Sequence, residues 1–253
     1  MKRIVFGLLL FSVLSIAQEN TTIKPNEKLV YTASYNMSGL LTNIAQVTME
    51  TSEVKTSKST LLNLRCKAVT FSKWDSYFRI RDVYESYVNP KNLKPLLYKR
   101  DIDEGGYKKQ IKYTFSYSKG TVKSVLNKKK IKDQTRTISI GANTSDIVST
   151  IYQLRNLNFE NMKAGESKNV TILFDNKEYP VKVKYMTKET VDAGPLGKKS
   201  CYKLSISAKT DALRGKDENL IWLTADNKKI PAQMKFNIPV GTGQLKLTSA
   251  SGL

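Results

Sequence analysis

The sequence predicts a mainly β fold, an antiparallel meander of about a dozen strands forming a curved sheet or half-barrel with one helix near residues 145–157. Three observations predict it. Apolar and polar residues alternate along most of the chain, turn-forming residues fall at short intervals between the alternating runs, and a single segment switches to helical spacing.

Alternation begins where Leu29, Tyr31, Ala33, Tyr35 and Met37 interleave with Lys28, Thr32, Ser34 and Asn36. It returns with Tyr107, Ile111, Tyr113, Phe115 and Tyr117 against Lys108, Gln110, Lys112, Thr114 and Ser116. Tyr179, Val181, Val183 and Tyr185 alternate with Lys182 and Lys184, and Met234, Phe236 and Ile238 with Gln233, Lys235 and Asn237. Period two with one wet face belongs to antiparallel sheets, because parallel sheets are covered on both sides and read as continuous apolar runs. Turns are marked by Ser118-Lys119-Gly120, Asp175-Asn176-Lys177, Asp192 to Gly197, Asp226-Asn227-Lys228 and Gly241-Thr242-Gly243.

The exception is residues 145–157. Asn143 or Thr144 can cap a helix whose first turn holds Asp146, and Ile147, Ile151 and Leu154 follow at helical spacing. The helix divides strands in 28–140 from strands in 168–250, which fits one curved sheet or two packed β units. The expected organisation is a signal peptide at 1–17 followed by a single β-rich domain over 18–253.

The signal reading rests on Lys2 and Arg3, the apolar stretch Ile4–Ile16 and the small-residue site Ser15-Ile16-Ala17. Cleavage is expected after Ala17, with delivery to the periplasm. Gln18 follows where a lipoprotein needs Cys, and no later apolar run exceeds strand size, so the mature chain is expected to be soluble, without a transmembrane anchor.

Lys+Arg number 42 against 22 Asp+Glu, a formal net charge of +20. An exported chain with scattered lysines is not expected to bind nucleic acid; a solvated basic surface or attraction to an anionic envelope component fits better. Alternation puts Cys66 on an apolar face with Leu62 and Leu64, and Cys201 on the wet face of Lys203, Ser205 and Ser207. One buried and one exposed cysteine argue against a bridge, although a bulge could reverse either face.

The chain contains no histidine, which removes Ser-His-Asp and Cys-His nucleophilic sites and ordinary zinc hydrolase sites. Ser-x-x-Lys occurs at Ser52, Ser116 and Ser200, as often as chance provides, and in strands or turns where the motif needs a helix start. No phosphate loop or dinucleotide fingerprint is present; no cofactor and no metal are expected. Local carboxylate pairs are Asp82 with Glu85, and Asp101 with Asp103 and Glu104. Asp82 shares an apolar face with Phe78, Ile80, Tyr84 and Val88, so it reads as a structural buried carboxylate held by an arginine such as Arg100 or by a tyrosine. Thirteen tyrosines favour inward faces, which suits either core packing or a ligand-lining surface. Tyr31, Tyr35, Tyr84, Tyr107, Tyr113 and Trp222 are the candidate ligand-binding residues.

Four stretches carry a family resemblance: Asn26 to Tyr31 with Ser34-Tyr35, Asp82 to Ser86 through Leu93-Lys94-Pro95, Ser145 to Ser149 through Tyr152 and Arg155, and Trp222 to Asp226 through Pro231. Together they make the chain resemble the domain-of-unknown-function 3108 family of exported bacterial proteins, with Asn26 where that family usually has glycine. The resemblance implies an envelope location and a β-rich fold and brings no catalytic residue. The expected function is a non-catalytic periplasmic binding or carrier protein taking a lipid, acyl or glycan ligand. The alternatives are an envelope scaffold with a protein partner and a carbohydrate-active enzyme using Asp82 or Glu85.

Overall fold

The computed structural model describes residues 19–37, 39–128, 131–208, 219–238 and 241–253. The signal segment expected at 1–17 lies outside the described residues. Eight strands precede the helix region: β1 (Lys28–Met37), β2 (Leu40–Lys55), β3 (Thr60–Thr70), β4 (Arg81–Val88), β5 (Pro95–Glu104), β6 (Tyr107–Ser116), β7 (Thr121–Lys128) and β8 (Ile131–Ser139). Then come β9 (Thr144–Ser145), α1 (Ile147–Leu154), β10 (Ser167–Phe174), β11 (Lys177–Asp192), β12 (Lys198–Ala208), β13 (Asn219–Thr224), β14 (Pro231–Ile238) and β15 (Gly241–Ser251). No helix among the described residues is long and apolar enough to cross a membrane.

All fifteen described strands belong to one sheet, in the order β8 back to β1, then β15 back to β9. The two sequence runs are therefore one curved, unclosed sheet joined through the first and last long strands, where Leu29 faces Ala250 and Tyr31 faces Leu247. Every pairing is antiparallel except β9 with β10, which meet in parallel at Thr171 and Ile172. Register shifts at Val30/Tyr31, Ala33/Ser34, Tyr87/Val88 and Tyr185/Thr187 bend the strands.

Curvature brings the far end of the sheet back onto its beginning. The β10–β11 turn lies on the inner face of β5–β7, where Asp175 Oδ1 accepts from Arg100 Nη2 and Lys109 Nζ, each at 2.9 Å. Asn176 donates its backbone N–H to Tyr113 Oη at 2.9 Å and accepts from Ser124 Oγ at 2.6 Å. Asp175 and Asn176 hold φ of 44° and 67°, the left-handed region that these two short polar residues tolerate best after glycine.

The helix is shorter than the expected 145–157 and begins later. Asp146, not Asn143 or Thr144, is its N-cap: the residue is extended (φ −87°, ψ 171°) and its Oδ1 accepts from Ser149 N–H at 2.8 Å. Thr144 and Ser145 are drawn instead into β9. Val148 and Tyr152 face the main core, with Leu29, Leu64, Val88, Tyr98 and Phe115, while Leu154 and the following Phe159 cover Val183, Tyr202, Leu204 and Leu223. One helix and its C-terminal extension thus fill the concavity of both halves, so apolar burial, the main driving force of folding, is shared across the whole sheet.

The face assigned to Cys201 is corrected by the structure. Cys201 is fully buried, because the outer face of β12–β14 is not wet at this point: Ala193 and Leu196, from the β11–β12 connection, cover it together with Trp222 and Ala232. Cys66 is partly buried, and both cysteines are free.

Candidate ligand-binding cleft

The six aromatic candidates are distributed over three places. Tyr31 and Tyr113 are fully buried in the main core, Tyr31 donating its hydroxyl to Pro231 O at 2.9 Å and Tyr113 stacked on Tyr98 at 5.5 Å between ring centres. Tyr84 lies beside them on the inner face, half-buried, opposite Cys66 and Arg100. Tyr35 and Tyr107 stand at strand ends, the former with its ring against Gly241, the latter 43% exposed under Lys128 Nζ. Trp222 is on the opposite side of the sheet, buried, with Nε1 donating to Glu189 Oε1 at 2.6 Å. Burial raises Tyr31, Tyr84 and Tyr113 hydroxyls above the ordinary tyrosine value.

Asp82 is 3% exposed on the inner face. Its Oδ1 accepts from Asp103 N–H at 3.1 Å and its Oδ2 from Tyr84 Oη at 3.4 Å, while Arg100 is turned toward Asp175. Burial, and then the charge of the neighbouring Asp82 carboxylate, raises Glu104 above the ordinary carboxylate value. Glu85, an odd number of residues along the strand, points to the other face beside Arg65. Asp82 and Glu85 therefore cannot flank one bond. Among the described residues no group of three Cys, Asp or Glu side chains is placed to hold a metal ion.

A second polar cluster was invisible to pattern reading. Arg155, fully buried at the end of α1, grips Glu27 with two prongs, Nη1 to Oε1 at 2.6 Å and Nη2 to Oε2 at 2.7 Å, and donates through Nε to Lys228 O at 3.1 Å. At the other end of the helix Ser86 Oγ donates to Asp146 Oδ2 at 2.6 Å. Burial pushes the Asp146 carboxyl up to about 6, against the lowering by its Ser86 and Ser149 hydrogen bonds. These contacts fix the helix between β1, β4 and the β13–β14 turn.

An open cleft lies at the seam between the β4–β5 turn and β10. It measures about 450 Å³ and is walled by the β4–β5 turn, β9, the end of α1 and the start of β10. Asn92 and Lys94 come from the turn, Asn143 precedes β9, Asn156 and Leu157 follow α1, and Lys168, Asn169 and Val170 come from β10. Gln153 braces the wall, donating to Leu93 O at 2.9 Å and to Ser145 Oγ at 3.0 Å. Lys94 Nζ reaches Ala142 O at 3.2 Å and lies over the Tyr117 ring. Asn143, Lys168 and Asn169 are exposed, and their side chains make no hydrogen bond or ion pair among the described residues. Because β9 pairs with β10 only at Thr171 and Ile172, Ser167–Val170 present an open strand edge to the cleft.

The profile of a protein family of unknown function, DUF3108, matches residues 30–248. The chain belongs to the DUF3108 family. Among solved structures, this DUF3108 chain is similar to a β-barrel-like protein from Brucella abortus with a DUF1849 domain, also of unknown function, at 11% identity and a TM-score of 0.61, covering 90% of this chain and 97% of that one. That likeness shows the fold. Looser matches are a protein from Bacteroides fragilis described as exported with a YmcC-like fold (9% identity, 91% and 97% covered, TM-score 0.31) and one from Parabacteroides distasonis described as a lipoprotein (10% identity, 91% and 97% covered, TM-score 0.34). No curated protein matches. Neither the DUF3108 family nor the DUF1849 neighbour points to a catalytic activity.

Lys94 and Ser145 belong to the stretches that carry the family resemblance, but nothing in the sequence marks the cleft residues as one site. They come from four segments that the fold assembles, and each reads locally as an ordinary turn or strand end.

Proposed function

We propose that this DUF3108 chain is a non-catalytic binding protein of the cell envelope that takes an acidic glycan component in the seam cleft. The observation that carries the reading is the cleft's lining: amides of Asn92, Asn143, Asn156 and Asn169 beside the ammonium groups of Lys94 and Lys168, over Leu157 and Val170. Carboxamides offer donors and acceptors together, which suits a surface of hydroxyls, and the lysines favour an anion. A volume near 450 Å³ is ordinary for a small-molecule site. The envelope location follows from the signal-like first seventeen residues. An acyl chain fits less well, because the tyrosines of the concave face are already in van der Waals contact with α1 and the core.

Isothermal titration of the purified protein with neutral and acidic oligosaccharides tests this. Acidic sugars should bind, and Asn169→Trp, which fills the cleft from an exposed position, should abolish the heat. Equal binding by the Trp variant, or none by the parent, contradicts the proposal.

The open edge of β10 favours a second reading, addition of a strand from an envelope protein. An extended peptide on Ser167–Val170 would protect these backbone amides from hydrogen exchange, whereas a sugar held by side chains would leave them exchanging.

A further inference from the structure

Seven large apolar side chains stand exposed among the described residues, and five of them, Leu40, Leu41, Tyr77, Phe78 and Tyr107, lie at one end of the sheet. That end collects the β1–β2, β3–β4 and β5–β6 connections; the seam cleft, beside the β4–β5 turn, is at the other. Exposure is 74% at Leu40, 53% at Leu41, 81% at Tyr77 and 53% at Phe78. Isolated surface apolar residues need no explanation, but a contiguous set does.

Hydrogen bonds and ring contacts tie together the connections that carry this set. Trp74 Nε1 donates to Asn43 O at 2.8 Å, tying the β3–β4 loop to β2 just beyond Leu41. Trp74 and Tyr77 rings are 5.8 Å apart, and Phe78 lies against Gly105 in the β5–β6 turn, whose N–H donates to Arg79 O at 2.8 Å. Ion pairs Arg81–Asp75 and Arg79–Asp103 brace the loop from below, so the rings are presented outward by a fixed frame. Cations ring the patch: Lys73 sits 5.7 Å from the Trp74 ring centre, Lys128 4.9 Å from that of Tyr107, and Lys108 pairs with Asp103 at 3.2 Å.

We infer that this rim docks on the surface of an anionic lipid bilayer, the aromatic and leucine side chains entering the headgroup boundary while the lysines meet lipid phosphates. Trp and Tyr are the side chains that suit an interface with one end apolar and the other wet, and flexible lysine stems keep their charge in water as the rest sinks. Charge complementarity selects the anionic surface: the chain carries +20, and basic residues near an anionic bilayer each add to its attraction. The inference is independent of the seam cleft and goes beyond the function proposed for it.

Flotation of the purified protein with vesicles tests it, using equimolar phosphatidylglycerol and phosphatidylethanolamine against pure phosphatidylcholine. Binding is expected to the anionic vesicles only, with a blue shift in emission reporting Trp74, since Trp222 is already buried. Tyr77→Ser with Phe78→Ser, and separately Leu40→Ser with Leu41→Ser, should each weaken binding by about tenfold or more, with circular dichroism unchanged because the positions are exposed. Failure to float with anionic vesicles overturns the inference. So does binding that both double variants retain, which would assign the attraction to charge alone.

Discussion

Glu27 and Arg155, separated by 128 residues, meet as a two-pronged ion pair in which the arginine has no solvent exposure. Removing one partner leaves a buried charge without its counter-ion, at a cost of about 3–5 kcal/mol. Glu27→Leu and Arg155→Leu should each lower stability by that amount in urea unfolding, and the double variant should lose much less than the two together. Additive losses would mean that the residues do not act as a pair.

Asp146 should give the protein an unusual pH dependence. Its folded-state value, about 6, lies above the 3.8 of a free aspartate, so the folded protein holds more protons than the unfolded chain between them. Stability from this group therefore falls as pH rises through roughly 4 to 6, by about 3 kcal/mol in all. Asp75, Asp103 and Glu189 are lowered, and their contributions vanish only as pH drops below the ordinary carboxylate range. Asp146→Asn keeps a good helix cap and removes the titration. Thermal unfolding from pH 4 to 7 should show a shallower decline in the Asn variant; the same slope as the parent would contradict the assignment.

Both thiols should be slow to react. Burial pushes Cys66 up to about 12 and Cys201 up to about 11, which leaves little thiolate at neutral pH. A colorimetric thiol reagent should label the folded protein over hours and release both thiols at once in denaturant. Rapid native labelling, or no thiol after unfolding without reductant, would overturn this.

The β10–β11 turn should depend on its contacts with the other half of the sheet. Asn176→Ala removes a side chain suited to a φ of 67° and the bond to Ser124. Amide exchange in residues 173–178 should accelerate by about tenfold or more while β1 and β15 stay protected. Unchanged exchange would show that the turn is held by its own hairpin alone.

Strand positions and faces were legible because alternation is a local property of each segment, and the choice between one sheet and two units was not, because it rests on Leu29 finding Ala250. The helix was placed correctly but its start was not, since Asn143, Thr144 and Asp146 are all competent caps and the pull of β10 on Thr144 and Ser145 decides among them. Cys201 was assigned to solvent because the chain that covers it, Ala193 and Leu196, folds over from outside its own strand. The four stretches behind the family resemblance converge in the structure, through Glu27–Arg155, Ser86–Asp146, Arg155 with Lys228 O and Tyr31 with Pro231 O. They are the supports of α1. The seam cleft was illegible because its exposed lining, Asn143, Lys168 and Asn169 beside Lys94, is brought together only by the curving of the sheet.

Native mass spectrometry of the protein purified from its own cells under mild conditions addresses the seam cleft most directly. One stoichiometric adduct of acidic carbohydrate, absent from the Asn169→Trp variant, is the predicted result. Polypeptide of bare mass, or an adduct that the Trp variant retains, would contradict the proposal that this cleft holds the ligand.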